Sequence, residues 1–193
     1  MTLLHIDSSI QGEVSVTRQL SAEIVRRWLA RHPATEVLYR DLSAQPLPHL
    51  SGTALVGTDE LEAARNSAVL GEFLRADIVV IGVPLYNFSI PSQLKAWIDR
   101  ISVAGKTFRY TEKGPEGLAG GKKVVLAIAR GGVYGSSGIP EFGESYLSFL
   151  FGFLGIRDLS FVRAEGLNHS AAAREAGLAA ARAALAAQQP LAA

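Results

Sequence analysis

The chain has 193 residues, 48% of them hydrophobic, and a formal net charge of +1 at pH 7, so we expect one globular domain over residues 1–193. The near-neutral charge argues against a nucleic-acid partner, and the absence of Cys excludes disulfides, thiolate metal sites and a cysteine nucleophile. No apolar run approaches the roughly 20 residues that cross a bilayer, and the first run is too short for a signal peptide, so we expect a cytoplasmic protein without a membrane partner.

Five apolar or alternating runs predict the β-strands. In chain order they are "LLHI" (Leu3 to Ile6), "EVLYRDL" from Glu36, "DIVVIGVP" (Asp77 to Pro84), "KKVVLAIA" from Lys122 and "DLSFVRA" from Asp158. The third run is almost unbroken, which is typical of a central parallel strand covered on both faces.

Helical patterns separate these runs. Leu20, Ile24 and Trp28 recur at helical spacing, as do Leu94, Ile98 and Ile101, and the Ala-rich segment from Ala171 to Ala187 is a strong helix former. Because parallel neighbours need crossover connections, this alternation predicts an α/β fold with a doubly wound parallel sheet and helices on both faces.

The loop after the first strand is rich in hydroxyl groups. Ser8 and Ser9 follow the strand directly, and Ser15 and Thr17 lie where the next helix should begin. Free amides and the positive end of a helix dipole make such a position a phosphate cradle, whereas an ordinary N-cap role for Ser15 or Thr17 explains the pattern equally well. Asp7 would repel a phosphate dianion, so we assign it no ligand role.

Other phosphate-binding and metal-binding patterns are absent. No G-x-G-x-x-G follows the first strand. The segment "GLAGGKKV" is not a Walker loop, because Lys123 replaces the required Ser or Thr and because the segment precedes a strand rather than a helix. The four His residues lack metal-ligand spacing, and we interpret His5 as a buried core residue rather than a catalyst. We therefore predict no metal site.

Two further loops follow the third and fourth strands. The first lies in "PLYNFSIPSQLKAWIDR" (Pro84 to Arg100), and the second is "ARGGVYGSSG" (Ala129 to Gly138), whose glycines allow a ligand to approach the backbone. Side by side, they could hold a flat heteroaromatic ring with backbone amides and aromatic edges. Either loop alone is also explained by an ordinary glycine turn or by aromatic packing.

Together these motifs resemble one enzyme family. The motifs "SSI", "SVT", "PLYNFSIPSQLKAWID", "GKTFRYTEKGPEGLAGGKK" and "ARGG" occur in this order, and the likeness extends from about Leu3 to Gly166. The chain resembles the FMN-dependent NADH-azoreductases, once called acyl carrier protein phosphodiesterases. The resemblance implies a flavodoxin-like fold with strand order 2-1-3-4-5 and a homodimer with one non-covalent FMN per subunit.

The same resemblance implies the activity. FMN would take a hydride from NADH, or from NADPH, and reduce quinones and azo compounds in a ping-pong cycle. Cleavage of an azo bond to two amines would take two such cycles. The hydride chemistry would belong to the cofactor, so no catalytic side chain is expected. A flavodoxin-type electron carrier without its own substrate turnover is the alternative, but the +1 charge and "SSIQGEVSVT" favour the enzyme.

The resemblance also assigns site residues. The FMN-binding positions are the phosphate loop (Ser9, Ser15, Val16 and Thr17), the third-strand loop (Pro84, Leu85, Tyr86, Asn87 and Phe88) and the fourth-strand loop (Ala129, Arg130, Gly131 and Gly132). Phe108 and Tyr110, in a long segment before the fourth strand, match substrate-binding positions near the dimer interface. From the residues alone, anchoring of this segment to the domain body explains both rings nearly as well. This chain departs from the family at Ala129, where Ser is frequent, and at Val16, where a polar residue is frequent. Residues 50–64 form a shorter segment than in some members.

One segment indicates a subunit interface independently of the family resemblance. "GESYLSFLFGFLGI" (Gly143 to Ile156) carries more apolar surface than one helix face normally buries, so part of it would meet a second subunit. Burial of both faces within one domain is the alternative.

Overall fold

The computed structural model describes residues 1–134 and 141–187. Its strands are β1 (Thr2–Asp7), β2 (Glu36–Asp41), β3 (Ile78–Pro84), β4 (Phe108–Thr111), β5 (Gly114–Gly117), β6 (Lys123–Ala129) and β7 (Asp158–Ala164). Its helices are α1 (Val16–Leu29), α2 (Gly52–Val56), α3 (Glu60–Arg75), α4 (Ser92–Ile101), α5 (Gly143–Phe153) and α6 (Ala171–Ala187). In the described part of the chain, no helix combines the length and the apolar character needed to cross a bilayer.

Five strands form a parallel sheet in the order β2-β1-β3-β6-β7. These are the five predicted strands, with nearly the predicted boundaries. The numbering differs from the expected 2-1-3-4-5 because an antiparallel hairpin of β4 and β5 lies between β3 and β6 in the chain. The sequence pattern predicts no strands in that segment, since the β5 residues "GPEG" are types that strands usually avoid.

Helices cover both faces of the sheet, and side-chain alternation along the strands divides the core into two layers. On one face, Leu3, Val80 and Val125 of the strands pack with α1 and α6. On the other face, the alternate positions pack with α3, α4 and α5, as Ile81 and Leu126 do. All seven residues of β3 are buried, as expected for a central strand with helices on both sides.

Helix α5 buries only part of its apolar surface within the chain. Leu147 and Phe151 are fully buried against the sheet, whereas Phe149 is 76% exposed and Phe142, just before the helix, is 57% exposed. Burial within one domain therefore accounts for one face of this segment and leaves an aromatic face outside.

The β4–β5 hairpin attaches to the domain through backbone contacts. The Ala119 amide donates to the carbonyl of Leu154 at 2.9 Å, and the Leu118 amide donates to the carbonyl of Thr107 at 2.8 Å. At Gly117 an added Cβ would lie 2.1 Å from the backbone nitrogen of Gly155, so two chain segments meet there without side chains. A glycine at position 117 is thus required for the hairpin to dock.

Replacing Gly117 tests this docking. We expect Gly117→Ala to lower the free energy of unfolding by about 1–3 kcal/mol, because the new methyl group overpacks a backbone contact that cannot rearrange cheaply. The matched control is Gly71→Ala within α3, where an added Cβ meets nothing within 4 Å. That control should raise the free energy of unfolding by roughly 0.5–1 kcal/mol. Both values come from urea denaturation, and equal stabilities of the two variants would contradict the docking.

Candidate functional site

The carboxyl ends of β1, β3 and β6 meet beside the start of α1, which is where doubly wound sheets bind ligands. A cavity of about 210 Å³ lies there, and we call it the cradle. Three predicted loops meet in it, and its lining residues are Gln11, Ser15, Val16, Thr17, Pro84, Leu85, Tyr86, Ala129, Arg130, Gly131, Leu167, Asn168 and Arg174. Of the predicted binding residues, Ser9, Asn87, Phe88 and Gly132 lie beside the cradle in the same loops but do not line it.

The start of α1 presents hydrogen-bond donors to the cradle. Ser15 is the N-cap, and its Oγ accepts from the Arg18 amide at 3.3 Å and contacts Thr17 Oγ1 at 3.0 Å. Among the hydrogen bonds of the described residues, none gives an acceptor to the amides of Val16 and Thr17, as expected for the first turn of a helix. The cap interpretation is therefore correct for Ser15, and two amides remain available for an anion.

The remaining hydroxyls of the first loop have different partners. Ser8 Oγ donates to the carbonyl of Gly82 at 2.7 Å, which ties the loop to β3 and turns this hydroxyl away from the cradle. Ser9 Oγ lies 3.2 Å from the hydroxyl of Tyr86, which also accepts from the Ile10 amide at 3.3 Å. The Tyr86 hydroxyl thus connects the first loop with the loop after β3.

An arginine holds the backbone of the first loop. The guanidinium of Arg18 donates to both carboxylate oxygens of Asp41, at 2.6 and 2.8 Å, and to the carbonyl of Ser9 at 2.8 Å. Hydrogen bonding to Arg18 lowers the pKa of Asp41 and outweighs the effect of partial burial. The pair therefore stays charged at neutral pH and fixes Ser9 at the edge of the cradle.

Asp7 lies beneath the cradle in a hydrogen-bonded network. It accepts from Ser21 Oγ at 2.8 Å and from the Tyr39 hydroxyl at 3.0 Å, and His5 Nε2 lies 2.9 Å from Ser21 Oγ. Burial alone would raise the pKa of Asp7, but its interactions with His5, Ser21 and Tyr39 outweigh burial and lower it. Burial, followed by the nearby Asp7 charge, raises the pKa of Tyr39 to about 12. Asp7 and His5 are thus engaged with the interior of the chain.

The loop after β3 is a tight turn with an unusual backbone. The Tyr86 amide donates to the carbonyl of Ser89 at 2.9 Å, and the Ser89 amide donates back at 3.0 Å. Between them Asn87 has a φ of 49° and Phe88 a φ of 68°, although Phe88 is bulky and 52% exposed. Such backbone strain in a non-glycine residue typically occurs at functional sites.

The loop after β6 is joined to the loop after β7. The Arg130 amide donates to the carbonyl of Ala164 at 2.9 Å, and the Asn168 amide donates to the carbonyl of Gly131 at 3.0 Å. A Cβ on Gly131 would lie 2.4 Å from Asn168 Nδ2, so this glycine permits the close approach. Residues 135–138 of the predicted loop lie outside the described part of the chain.

The Arg130 side chain is directed away from a ligand role. It is 6% exposed, and its guanidinium donates to Glu165 at 3.2 Å and to Glu144. Glu144 also accepts from Arg163, and hydrogen bonding to Arg163 is the main cause that lowers the pKa of Glu144. The guanidinium of Arg130 is therefore engaged with glutamates, and only the backbone of this residue is available to a ligand in the cradle.

The two aromatic residues predicted to bind substrate lie in the hairpin, apart from the cradle of the same chain. Phe108 and Tyr110 are on the same side of β4, with ring centroids 5.6 Å apart, and Phe108 packs 4.7 Å from Phe153. Tyr110 is 74% exposed. Phe108 lines a separate groove of about 620 Å³ formed with α2, α3 and α4.

Four residues of the cradle were not predicted: Gln11, Leu167, Asn168 and Arg174. The last three follow the fifth sheet strand, at the same edge as the other loops. The polar segment "EGLNHS" after that strand was the signal that would have indicated Leu167 and Asn168, because all strand carboxyl ends share this edge, whereas Arg174 lies beyond it in α6. Within residues 1–134 and 141–187, no cluster of three or more metal-binding His, Asp or Glu side chains occurs.

Known proteins share this sequence and fold. The model of a protein family with a flavodoxin-like fold matches residues 1–188. The "FMN-dependent NADH:quinone oxidoreductase 1" of Xanthomonas euvesicatoria pv. vesicatoria is 57% identical over 185 residues, which cover 96% of this chain and 95% of that protein. The "FMN-dependent NADH:quinone oxidoreductase" of Polaromonas naphthalenivorans is 55% identical over 200 residues, which cover 96% and 92%.

Solved structures agree with these matches. The azoreductase from Bacillus anthracis str. Sterne superposes with a TM-score of 0.83 at 34% identity, covering 95% of this chain and 98% of that one. An FMN-dependent NADH-azoreductase from Bacillus anthracis str. Ames Ancestor, solved in complex with FMN, gives a TM-score of 0.76 at 28% identity, covering 95% and 100%.

The backbone strain at Phe88 can be measured with two variants. Phe88→Ala and Phe88→Gly both remove the ring, but only glycine adopts a positive φ without steric cost. We expect Phe88→Gly to be more stable than Phe88→Ala by about 1 kcal/mol in urea denaturation. If the alanine variant proves equally stable, the turn relaxes and the strain is not maintained by the fold.

Proposed function

This chain belongs to the flavodoxin-like family that includes the FMN-dependent NADH:quinone oxidoreductases, and on that premise we propose that it reduces quinones and azo compounds with hydride from NADH through bound FMN. The observation that carries this proposal is the cradle, where hydroxyls and free helix amides lie beside the loops after β3 and β6, which can offer backbone groups to a ligand. The hydroxyls and amides at the start of α1 suit a phosphate, and the two loops suit a flat ring.

The donor set of the cradle fits a phosphate ester. Ser15 and Thr17 contribute hydroxyls, the first turn of α1 contributes the amides of Val16 and Thr17, and the Ser9 hydroxyl lies at the edge of the cradle beside Tyr86. Among the described residues that line the cradle, none carries a carboxylate, so a phosphate dianion meets no like charge from them. We infer that these residues hold the phosphate of FMN.

The size of the cradle indicates that one chain encloses only part of the nucleotide. Its volume of about 210 Å³ is below the range of roughly 300–1,000 Å³ that is usual for sites that enclose a whole ligand. The loops at 85–88 and 129–132 would then hold the ring system through their backbones at the open end. The ring would remain accessible to substrates from outside.

FMN, when bound, supplies the hydride chemistry by accepting a hydride from NADH and passing it to a quinone or azo compound. The residues of the chain position the cofactor: Arg18 fixes the Ser9 backbone, and the strained turn at Asn87 and Phe88 fixes the loop beside Tyr86. Precise positioning of this kind is a large part of the rate acceleration by enzymes. We propose that NADH, or NADPH, and the acceptor occupy the same opening in turn, as in a ping-pong cycle.

We further propose that a second copy of the chain covers the open end of the cradle. Apolar side chains remain exposed on the surface near the hairpin and α5, including Tyr110 at 74% and Phe149 at 76%. Such apolar surface is typical of subunit contacts. In a homodimer, Phe108 and Tyr110 would lie against the partner's flavin rather than against the flavin of their own chain, which fits their distance from the cradle of the same chain.

Anaerobic mixing with NADH tests the enzyme proposal. We expect the purified protein to be yellow and to bleach rapidly with NADH, because hydride transfer reduces the flavin, and to regain its colour on addition of a quinone. A yellow protein that NADH does not bleach would support the electron-carrier alternative. A colourless protein that does not bind added FMN would remove the proposal altogether.

Substitution of Tyr110 tests the role of the hairpin. Because this ring is mostly exposed, Tyr110→Ala should change the free energy of unfolding by less than about 0.5 kcal/mol. We expect it to change the ratio of kcat/KM values for small and large quinones while leaving FMN affinity unchanged. Tyr110→Phe keeps the ring and should retain the native ratio. A uniform loss of activity with every quinone would show that Tyr110 does not affect acceptor choice.

A further inference from the structure

The cradle contains a charged side chain that has no counterion within the described residues. Arg174 lies in the first turn of α6 and lines the cradle together with Ser15 and Thr17. Within the described residues, its side chain makes one long hydrogen bond, in which Nη2 donates to the carbonyl of Val14 at 3.4 Å. A guanidinium has five N–H donors, so most of its donor capacity remains uncommitted.

The other two arginines around the cradle differ from Arg174 in this respect. Arg18 forms a bidentate pair with Asp41, and Arg130 pairs with Glu144 and Glu165. Their charges are therefore neutralised by the protein itself. For Arg174 no carboxylate lies within 4.0 Å in the part of the chain that the structure describes.

The position of Arg174 is also electrostatically unfavourable for the chain alone. Ser170 caps α6, and its Oγ accepts from the Ala173 amide at 3.0 Å, so Arg174 lies near the positive end of its own helix dipole. Val14, the residue that it contacts, directly precedes the cap of α1, which places the guanidinium near a second positive helix end as well. An anion in the cradle would compensate for both effects.

We propose that Arg174 is a phosphate-binding residue of the cradle, which recognises the phosphate monoester of the flavin and distinguishes FMN from riboflavin. This inference rests on the proposed function, since it takes FMN as the ligand. The guanidinium would supply charge-assisted hydrogen bonds that the neutral hydroxyls and amides of α1 do not supply. It would also connect the last helix of the domain to cofactor binding.

Titration with two flavins tests the proposal. The full chain is titrated with FMN and, separately, with riboflavin, and binding is followed by quenching of flavin fluorescence. We expect Arg174→Gln to weaken FMN binding by about tenfold to a hundredfold, because a hydrogen-bonded charge pair is lost. Riboflavin binding should change by less than about twofold, because riboflavin lacks the phosphate. Arg174→Met keeps the length of the side chain and should give the same result if the glutamine variant folds poorly.

Arg182 provides the matched control. It lies two turns further along the same helix and is paired with Glu23 at 3.4 Å, so Arg182→Gln removes the same charge outside the cradle. We expect this variant to bind both flavins as the native chain does. Equal loss of FMN and riboflavin affinity in Arg174→Gln, or an equal effect of Arg182→Gln, would overturn the assignment. Failure of the native chain to bind FMN would instead overturn the proposed function.

Discussion

The bidentate pair between Arg18 and Asp41 is the interaction on which the candidate site depends. Arg18 comes from the first turn of α1 and Asp41 from the end of β2, and the same guanidinium holds the carbonyl of Ser9 in the loop after β1. One side chain thereby fixes three elements at the carboxyl edge of the sheet. Both charges are largely shielded from water, with side chains 16% and 19% exposed, so removal of one would leave the other poorly solvated. The elements that Arg18 holds together form one wall of the cradle, with the amides of α1 on one side and the Tyr86 hydroxyl on the other.

The sheet and helices α1, α4 and α6 were predicted from apolar runs, apolar stripes and Ala-rich composition, whereas α2 and α3 were not predicted. Strand β3 is covered on both faces and reads as an uninterrupted apolar run, and α1 shows its buried stripe at Leu20, Ile24 and Trp28. The hairpin was not predictable by the same reasoning, because β5 consists of Gly, Pro and Glu, and because the contact at Gly117 joins two backbones beside the packing of Phe108 on Phe153. Local composition does not report such a contact.

The candidate site was predictable in its location but not in its details. The rule for doubly wound sheets brings three loops together without knowledge of any side chain, and the cradle confirms that the loops meet. The partners of each side chain depend on tertiary contacts instead. Ser8 turns to Gly82, Arg130 turns to glutamates, and Arg174 reaches Val14 from a helix 160 residues away in the chain. No local pattern contains that information.

The backbone contact between Gly117 and Gly155 has a consequence for which positions of the hairpin tolerate substitution. Because the hairpin is anchored by main-chain atoms, the side chains of residues 109–115 carry little of its attachment, and many of them are exposed. Substitutions at residues 109–113 therefore alter the outer surface of the hairpin with little loss of stability, whereas Gly114, with a φ of 108°, favours glycine. The outer surface of the hairpin can thus change while the sheet and the cradle remain as they are. The same separation makes residues 109–113 a natural choice for a randomised library.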